Sequence, residues 1–221
     1  MADIPVKRYK VNEVFWSPQG EGVRAGEMSC FVRFSGCNLR CAVEAGERSI
    51  GGFDCDTEFV SGRRLTAGEL LAEVERAVDR SAWGNEAVAA HWRPWIVATG
   101  GEPALQLDAE LVQAFKSAGF RVAIETNGSV DVSALGLDWI TVSPKVAEHA
   151  VRQLTADEVK YVRGYGQAIP RPACKAHHQL ISPAFDGLHY RRETLDWCLR
   201  LVRENPSWRL SVQQHKLWGV R

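Results

Sequence analysis

"LTAGELLAEVERAVDR", residues 65–80, decides the fold, because it lies between two short apolar runs, "CFVRF" at 30–34 and "WIVAT" at 95–99. Thr66 and Glu69 have the spacing of a capping box, and Leu70, Leu71, Val74 and Val78 form an apolar stripe at helical spacing. The stretch therefore predicts a helix between two strands. The alternation continues, with strands expected at "FRVAIE" (120–125), "DWITV" (138–142), "EVKYV" (158–162), "HQLIS" (178–182) and "WRLSVQ" (208–213). "LDAELVQAFKSAG" predicts a second helix, capped by Asp108 and stopped at Gly119, and "RRETLDWCLRLVREN" a third. Strand then helix, repeated, implies an α/β fold built on a parallel sheet.

The 221 residues are 45% hydrophobic and 24% charged, enough apolar material to bury a full core in one domain spanning 1–221. Lysine plus arginine equals aspartate plus glutamate at 27 each, so no net field draws the chain to nucleic acid or anionic lipid. The opening "MADIPVKRYK" has no apolar signal core, and no run of about 18 apolar residues could span a bilayer. A cytoplasmic protein without a membrane or nucleic-acid partner is expected.

Chemistry in such sheets gathers in loops beyond the carboxyl ends of the strands. Here those loops are "GGEP" after "WIVAT", "TNGS" after "FRVAIE", "SPK" after "DWITV" and "PAFDG" after "HQLIS". Each alone could be turn chemistry. The loop after "CFVRF" is different, since it holds Cys37, Cys41 and Cys55. The other three cysteines scatter: Cys30 shares a strand face with Val32 and Phe34, Cys198 lies at helical spacing from Leu195, Leu201 and Val202, and Cys174 is isolated. All three read as small buried hydrophobes. A structural zinc site wants four closed ligands, usually in tight pairs, and no fourth partner stands near the clustered cysteines. Three thiolates suit a 4Fe-4S cluster whose fourth iron is left open to a small molecule.

"GCNLRC" followed by "CDT", then "TGGEP", "ETNG" and "SPK", resembles the radical S-adenosylmethionine superfamily. Within it, "SPQGEG" (17–22), "FVRFSGCNLRC", "CDTEF" and "WRLSVQQHK" make the chain similar to the 7-carboxy-7-deazaguanine synthase family, from about residue 12 onward. The resemblance implies a partial (βα) barrel of the radical SAM type. It departs from the superfamily's usual cysteine spacing, because thirteen residues, about 42–54, intervene before Cys55. Closing a loop of thirteen rather than two residues costs about 1.5 to 2 kcal/mol. Thiolate metal binding, on the order of 10 kcal/mol, offsets that.

The implied reaction is a lyase step of queuosine and 7-deazapurine biosynthesis: 6-carboxy-5,6,7,8-tetrahydropterin loses a hydrogen at C6, contracts its ring and expels ammonia, giving 7-carboxy-7-deazaguanine. The resemblance assigns Cys37, Cys41 and Cys55 to the cluster and Thr57 to Mg2+. It assigns Gly101, Ser143, Pro144, Lys145, Ser182, Pro183 and Asp186 to S-adenosylmethionine. To the substrate it assigns Pro18, Gln19, Gly20, Glu21, Arg33, Thr99, His215 and the carboxylate of Arg221. Arg33 is informative in its own right, because an arginine inside an apolar strand is costly unless paired. Its pair is either the substrate carboxylate or an internal acid. An electron donor such as flavodoxin or ferredoxin and a homodimer are also implied. Two alternatives stay open: another radical enzyme such as a glycyl-radical activase, or a non-catalytic iron-sulfur or zinc module.

Overall fold

The computed structural model describes residues 6–39, 41, 58, 60–78, 92–185 and 189–221. Nine strands form one sheet: β1 (Tyr9–Pro18), β2 (Met28–Phe34), β3 (Arg63–Leu65), β4 (Trp95–Gly100), β5 (Arg121–Thr126), β6 (Trp139–Val142), β7 (Thr155–Arg163), β8 (Lys175–Pro183) and β9 (Trp208–Leu210). Their order is β3-β1-β2-β4-β5-β6-β7-β8-β9. From β2 to β9 every pairing is parallel, as the strand–helix alternation predicts. At one edge β1 pairs antiparallel with both β2 and β3. Because β3 and β9 each have one neighbour, the sheet stays open, a partial barrel rather than a closed one.

The helices follow their sequence signals. In α1 (Ala67–Ala77) the Thr66 hydroxyl accepts from the Glu69 amide (3.2 Å), while the Glu69 carboxylate accepts from the Thr66 amide (2.7 Å). This capping box contributes about 1 kcal/mol. Leu70 and Val74 are fully buried, each worth about 1.5 to 3 kcal/mol on the apolar scale. Asp108 caps α2 (Ala109–Ser117) by accepting from the Leu111 amide (2.9 Å), and Gly119 beyond it takes φ +90°. α3 (Arg192–Glu204) and a short α4 (Gln214–Trp218) complete the set.

Alternation along the strands divides the sheet into two faces. On the helix side, Cys30, Val32, Phe34, Ile96, Ala98, Val122 and Ile124 pack against Leu70, Val74, Leu111 and Phe115. Cys174 and Cys198 are buried in the second core with Val159, Tyr161 and Ile181, so all three scattered cysteines are packing residues, as expected. On the concave side, Phe15, Phe31, Trp95, Val97 and Ala123 form a smaller apolar floor with Trp139 against it. No helix among the described residues is long and apolar enough to cross a membrane.

Candidate active site

The parallel register puts the expected loops on one rim. Phe34 pairs with Gly100, Thr126 with Val142, and Val162 with Ser182, so β2, β4, β5, β6, β7 and β8 all end on the same side. The rim is stitched from the main chain: the Gly101 amide donates to Phe34 O (2.9 Å), Glu102 to Gly36 O (2.8 Å), and Ser143 to Thr126 O (2.8 Å). Gly100 has φ +114°, and a β-carbon there would lie 2.6 Å from Phe34 N. Only glycine lets β4 close on β2 at this point.

Cys37 and Cys41 both lie on the loop after β2, partly exposed, and the Leu39 amide points at Cys37 Sγ (3.4 Å). Asn38, between them, donates to Ser129 Oγ (2.8 Å) and accepts from Asn127 Nδ2 (3.1 Å), which ties the thiol loop to the "TNGS" loop. The amide contact suits a thiolate at Cys37. Among the described residues no group of three His, Cys, Asp or Glu side chains converges to hold a metal. Cys55, Thr57 and Asp186 lie outside the described residues.

Of the positions expected to hold S-adenosylmethionine, Gly101, Ser143, Pro144 and Lys145 are on the rim, and Lys145 Nζ donates to Ser143 Oγ (2.7 Å). Ser182 and Pro183 are buried at the end of β8. Glu102 fastens the rim from behind: fully buried, it accepts from Thr126 Oγ1 (2.7 Å), the Asn127 amide (2.7 Å) and the Ala104 amide (3.0 Å). Burial pushes its carboxyl above the ordinary value, against the pull of those three donors.

Beneath the rim the β1–β2 hairpin loop folds back across the concave face. It closes on itself, with the Gln19 amide donating to Glu27 O (2.8 Å) and the Gly26 amide to Gln19 O (2.7 Å). Gln19 Nε2 donates to Glu125 Oε1 (2.9 Å), and Thr99 Oγ1 lies 3.5 Å from the other oxygen of Glu125. Gly20 sits against His215, where a β-carbon would come within 2.6 Å of His215 Cγ. Gly22, at φ +75°, leaves room for Glu158 in the same way. Glu158 in turn accepts from Thr141 Oγ1 (2.9 Å) and the Val23 amide (3.0 Å).

Glu21 is ion-paired with Lys160 and accepts from Gln213 Nε2 (2.6 Å). Burial alone would raise the Glu21 carboxyl. The Lys160 ammonium, its hydrogen bond, Gln213 and His215 outweigh it and hold the group at about 2. Lys160 is nearly buried and its pKa is raised, because Glu21, Glu125 and Glu158 overcome its own desolvation.

Arg33 and Thr99 are register partners on β2 and β4, so they stand side by side on the concave face. Arg33 Nε lies 2.9 Å from Glu13 Oε1, at an angle unsuited to a hydrogen bond. Glu13 also takes Arg221 Nη1 (3.0 Å), and Ser17 Oγ donates to the main-chain oxygen of Arg221 (2.7 Å). Of the two partners the sequence allows for Arg33, the internal acid is therefore in place and is Glu13. Gln19 and Thr99 thus meet at Glu125, Arg33 and Arg221 at Glu13, and Gly20 meets His215, while Pro18 ends β1 opposite Met28.

Three relatives of this chain carry one name. A 7-carboxy-7-deazaguanine synthase from Bradyrhizobium diazoefficiens is 38% identical, covering 96% of this chain and 99% of its own length. The synthases of Caulobacter vibrioides and Bordetella pertussis are 39% and 38% identical over the same shares. The chain belongs to the 7-carboxy-7-deazaguanine synthase family. Its fold matches the crystal structure of QueE from Escherichia coli with TM-score 0.63 at 23% identity, covering 94% of this chain and 95% of that one. No family model matches the chain.

The synthase fold brings in residues that the sequence did not single out: Glu13, Glu125, Glu158, Lys160 and Gln213. Their signal was the one that marked Arg33. Glu158 and Lys160 are charges inside the apolar strand "EVKYV", and Glu125 ends "FRVAIE", positions where an ion is costly unless a partner waits.

Proposed function

We propose that the chain converts 6-carboxy-5,6,7,8-tetrahydropterin to 7-carboxy-7-deazaguanine with release of ammonia; the relatives' name gives the product, and the sequence resemblance supplies the substrate and the ammonia. The observation supporting this most directly is the concave-face network of Gln19, Glu21, Glu125, Thr99 and Arg33 lying under the cysteine rim. Cys37, Cys41 and Cys55 would hold a 4Fe-4S cluster, and Gly101, Ser143, Pro144, Lys145, Ser182, Pro183 and Asp186 would hold S-adenosylmethionine, which together would supply one-electron chemistry.

The protein's own residues bind and orient. The Glu21 and Glu125 side chains offer carboxyl oxygens as hydrogen-bond acceptors, which suits the N–H-rich edge of an aminopyrimidinone ring. Arg33 offers a planar guanidinium to the substrate carboxylate, with Glu13 fixing its direction. Thr99, beside it, supplies a hydroxyl donor, and His215, held against Gly20, closes the far side. The apolar floor of Phe15, Phe31 and Val97 keeps water away from the reacting carbon. Mg2+ at Thr57, a flavodoxin or ferredoxin as electron donor, and a homodimer belong to the same reading and are carried by sequence resemblance. Anaerobic incubation of reconstituted protein with S-adenosylmethionine, a reductant and the carboxypterin tests it. Deazapurine and ammonia in equal amounts are expected, and cofactor cleavage without deazapurine would contradict the assignment.

A further inference from the structure

Arg24 sits in the same hairpin loop as Gln19 and Glu21 but points the other way, into the apolar floor. It is 6% exposed, and its Nε and Nη1 have no hydrogen-bond partner among the described residues. Its guanidinium carbon lies 4.3 Å from the Trp95 ring centre and 5.7 Å from that of Trp139. The line of stacked groups continues beyond it: Arg121 lies 4.1 Å from the Trp95 ring, and Trp139 stacks on His178 at 6.1 Å with planes 17° apart. Arg121 and Trp95 are register partners at the amino ends of β5 and β4, and Trp139 begins β6. The column therefore closes the end of the partial barrel opposite the cysteine rim.

A buried cation without hydrogen bonds costs free energy that a leucine plug would not. Two features make the arginine useful. The indole faces attract a flat cation and fix its plane. Its charge also lies among Glu27, Glu125 and Glu158, whose attraction opposes the downward pull of burial and of Arg121 on its pKa. Glu125 and Glu158 are the acids that hold the loop through Gln19 and the Val23 amide.

We propose that Arg24 is the positioning residue of the substrate loop: its guanidinium, seated against Trp95 and Trp139, pins the 19–27 hairpin turn inside the barrel and so aims Gln19 and Glu21 at the pterin. It acts through those residues and touches no reacting atom. The role rests on the substrate assignment above, so the test has a readout that does not. Hydrogen–deuterium exchange reports the loop directly, through the Gln19, Val23 and Gly26 amides.

In Arg24→Met, those amides should exchange about tenfold faster while the β4 and β5 amides stay protected, and KM for the carboxypterin should rise about tenfold with kcat far less affected. Arg24→Lys keeps the charge but not the flat stack, and should fall between wild type and Arg24→Met in both readouts. It also serves as the test variant if Arg24→Met does not fold. Unchanged loop exchange would overturn the proposal. So would exchange that rises equally throughout the sheet, since that would make Arg24 a general packing residue. If the wild-type chain does not turn over the pterin, the substrate assignment fails while loop exchange still decides the role of Arg24.

Discussion

Gly20 and His215, 195 positions apart in the sequence, are packed so tightly that a β-carbon on residue 20 would lie 2.6 Å from His215 Cγ. The atoms it would meet include His215 Cβ, close to the backbone, so the histidine cannot simply swing aside. The Gln214 amide also donates to Gly20 O (2.8 Å), locking the two segments together. Gly20→Ala should therefore displace α4 from the substrate loop. Deazapurine formation should fall at least about tenfold while Tm falls by only a few degrees, since strain at one surface-connected loop costs on the order of 1 to 3 kcal/mol. Steady-state kinetics beside a thermal melt checks the split.

Lys160 is the cation nearest Glu21 and also faces Glu125 and Glu158. Lys160→Met would leave a buried carboxylate without its counter-charge, a change that costs about 3 to 5 kcal/mol. For a chain of this length that is a Tm loss of about 10 °C. Adding Glu21→Gln to Lys160→Met should recover part of it, because the uncompensated charge is gone. Calorimetry of the two single variants and the double variant measures the coupling.

The Glu21 carboxyl is held down at about 2 from an ordinary 4.5. A depressed carboxylate stabilises the fold fully above its unfolded value and loses that contribution as pH falls through its folded value. The stability gap between wild type and Glu21→Gln should thus be constant above about pH 5 and shrink steadily between about pH 4.5 and 2. Urea denaturation along that pH series gives the gap. A gap independent of pH would mean that Lys160 does not hold Glu21 ionised.

The Glu102 carboxylate accepts from three donors, the Thr126 hydroxyl and the Asn127 and Ala104 amides. Glu102→Gln puts an NH2 group where only acceptors fit, leaving buried donors facing each other at a cost of about 1 to 3 kcal/mol. The "GGEP" and "TNGS" loops should loosen together. Exchange at the Asn127 and Ala104 amides, compared with amides in β7, shows whether the loss is local to the rim.

How far the sequence reads can be judged from particular elements. α1 was legible because capping box and apolar stripe agree, and the rim was legible because parallel strands place all their following loops together. β1 was not marked. Its register shifts between Val11 and Glu13, which breaks the two-residue alternation, and its concave face carries Glu13 and Ser17 in place of apolar residues. β3 has only three residues and offers no pattern to read. "WRLSVQ" was expected to run to 213 but leaves the sheet after Leu210, once the Ser211 amide has bonded Ile181 O, so that Gln213 can reach Glu21. In the site, positions in recurring motifs could be found one by one. Lys160 and Glu125 show in the sequence only as costly charges in apolar strands, and their partners, like that of Glu13, could not be read because the pairing crosses strands that sequence order keeps far apart.

The account turns on a pterin held beneath the cysteine rim with C6 facing the cofactor. The most direct test uses carboxytetrahydropterin deuterated at C6, incubated with the reconstituted protein, S-adenosylmethionine and a reductant. Because the product is the substrate less ammonia, the hydrogen taken from C6 must be replaced, so as 7-carboxy-7-deazaguanine forms deuterium should appear in the 5'-deoxyadenosyl group, recovered in 5'-deoxyadenosine or in S-adenosylmethionine re-formed from it. Unlabelled 5'-deoxyadenosine, with all deuterium left in the pterin, would contradict it.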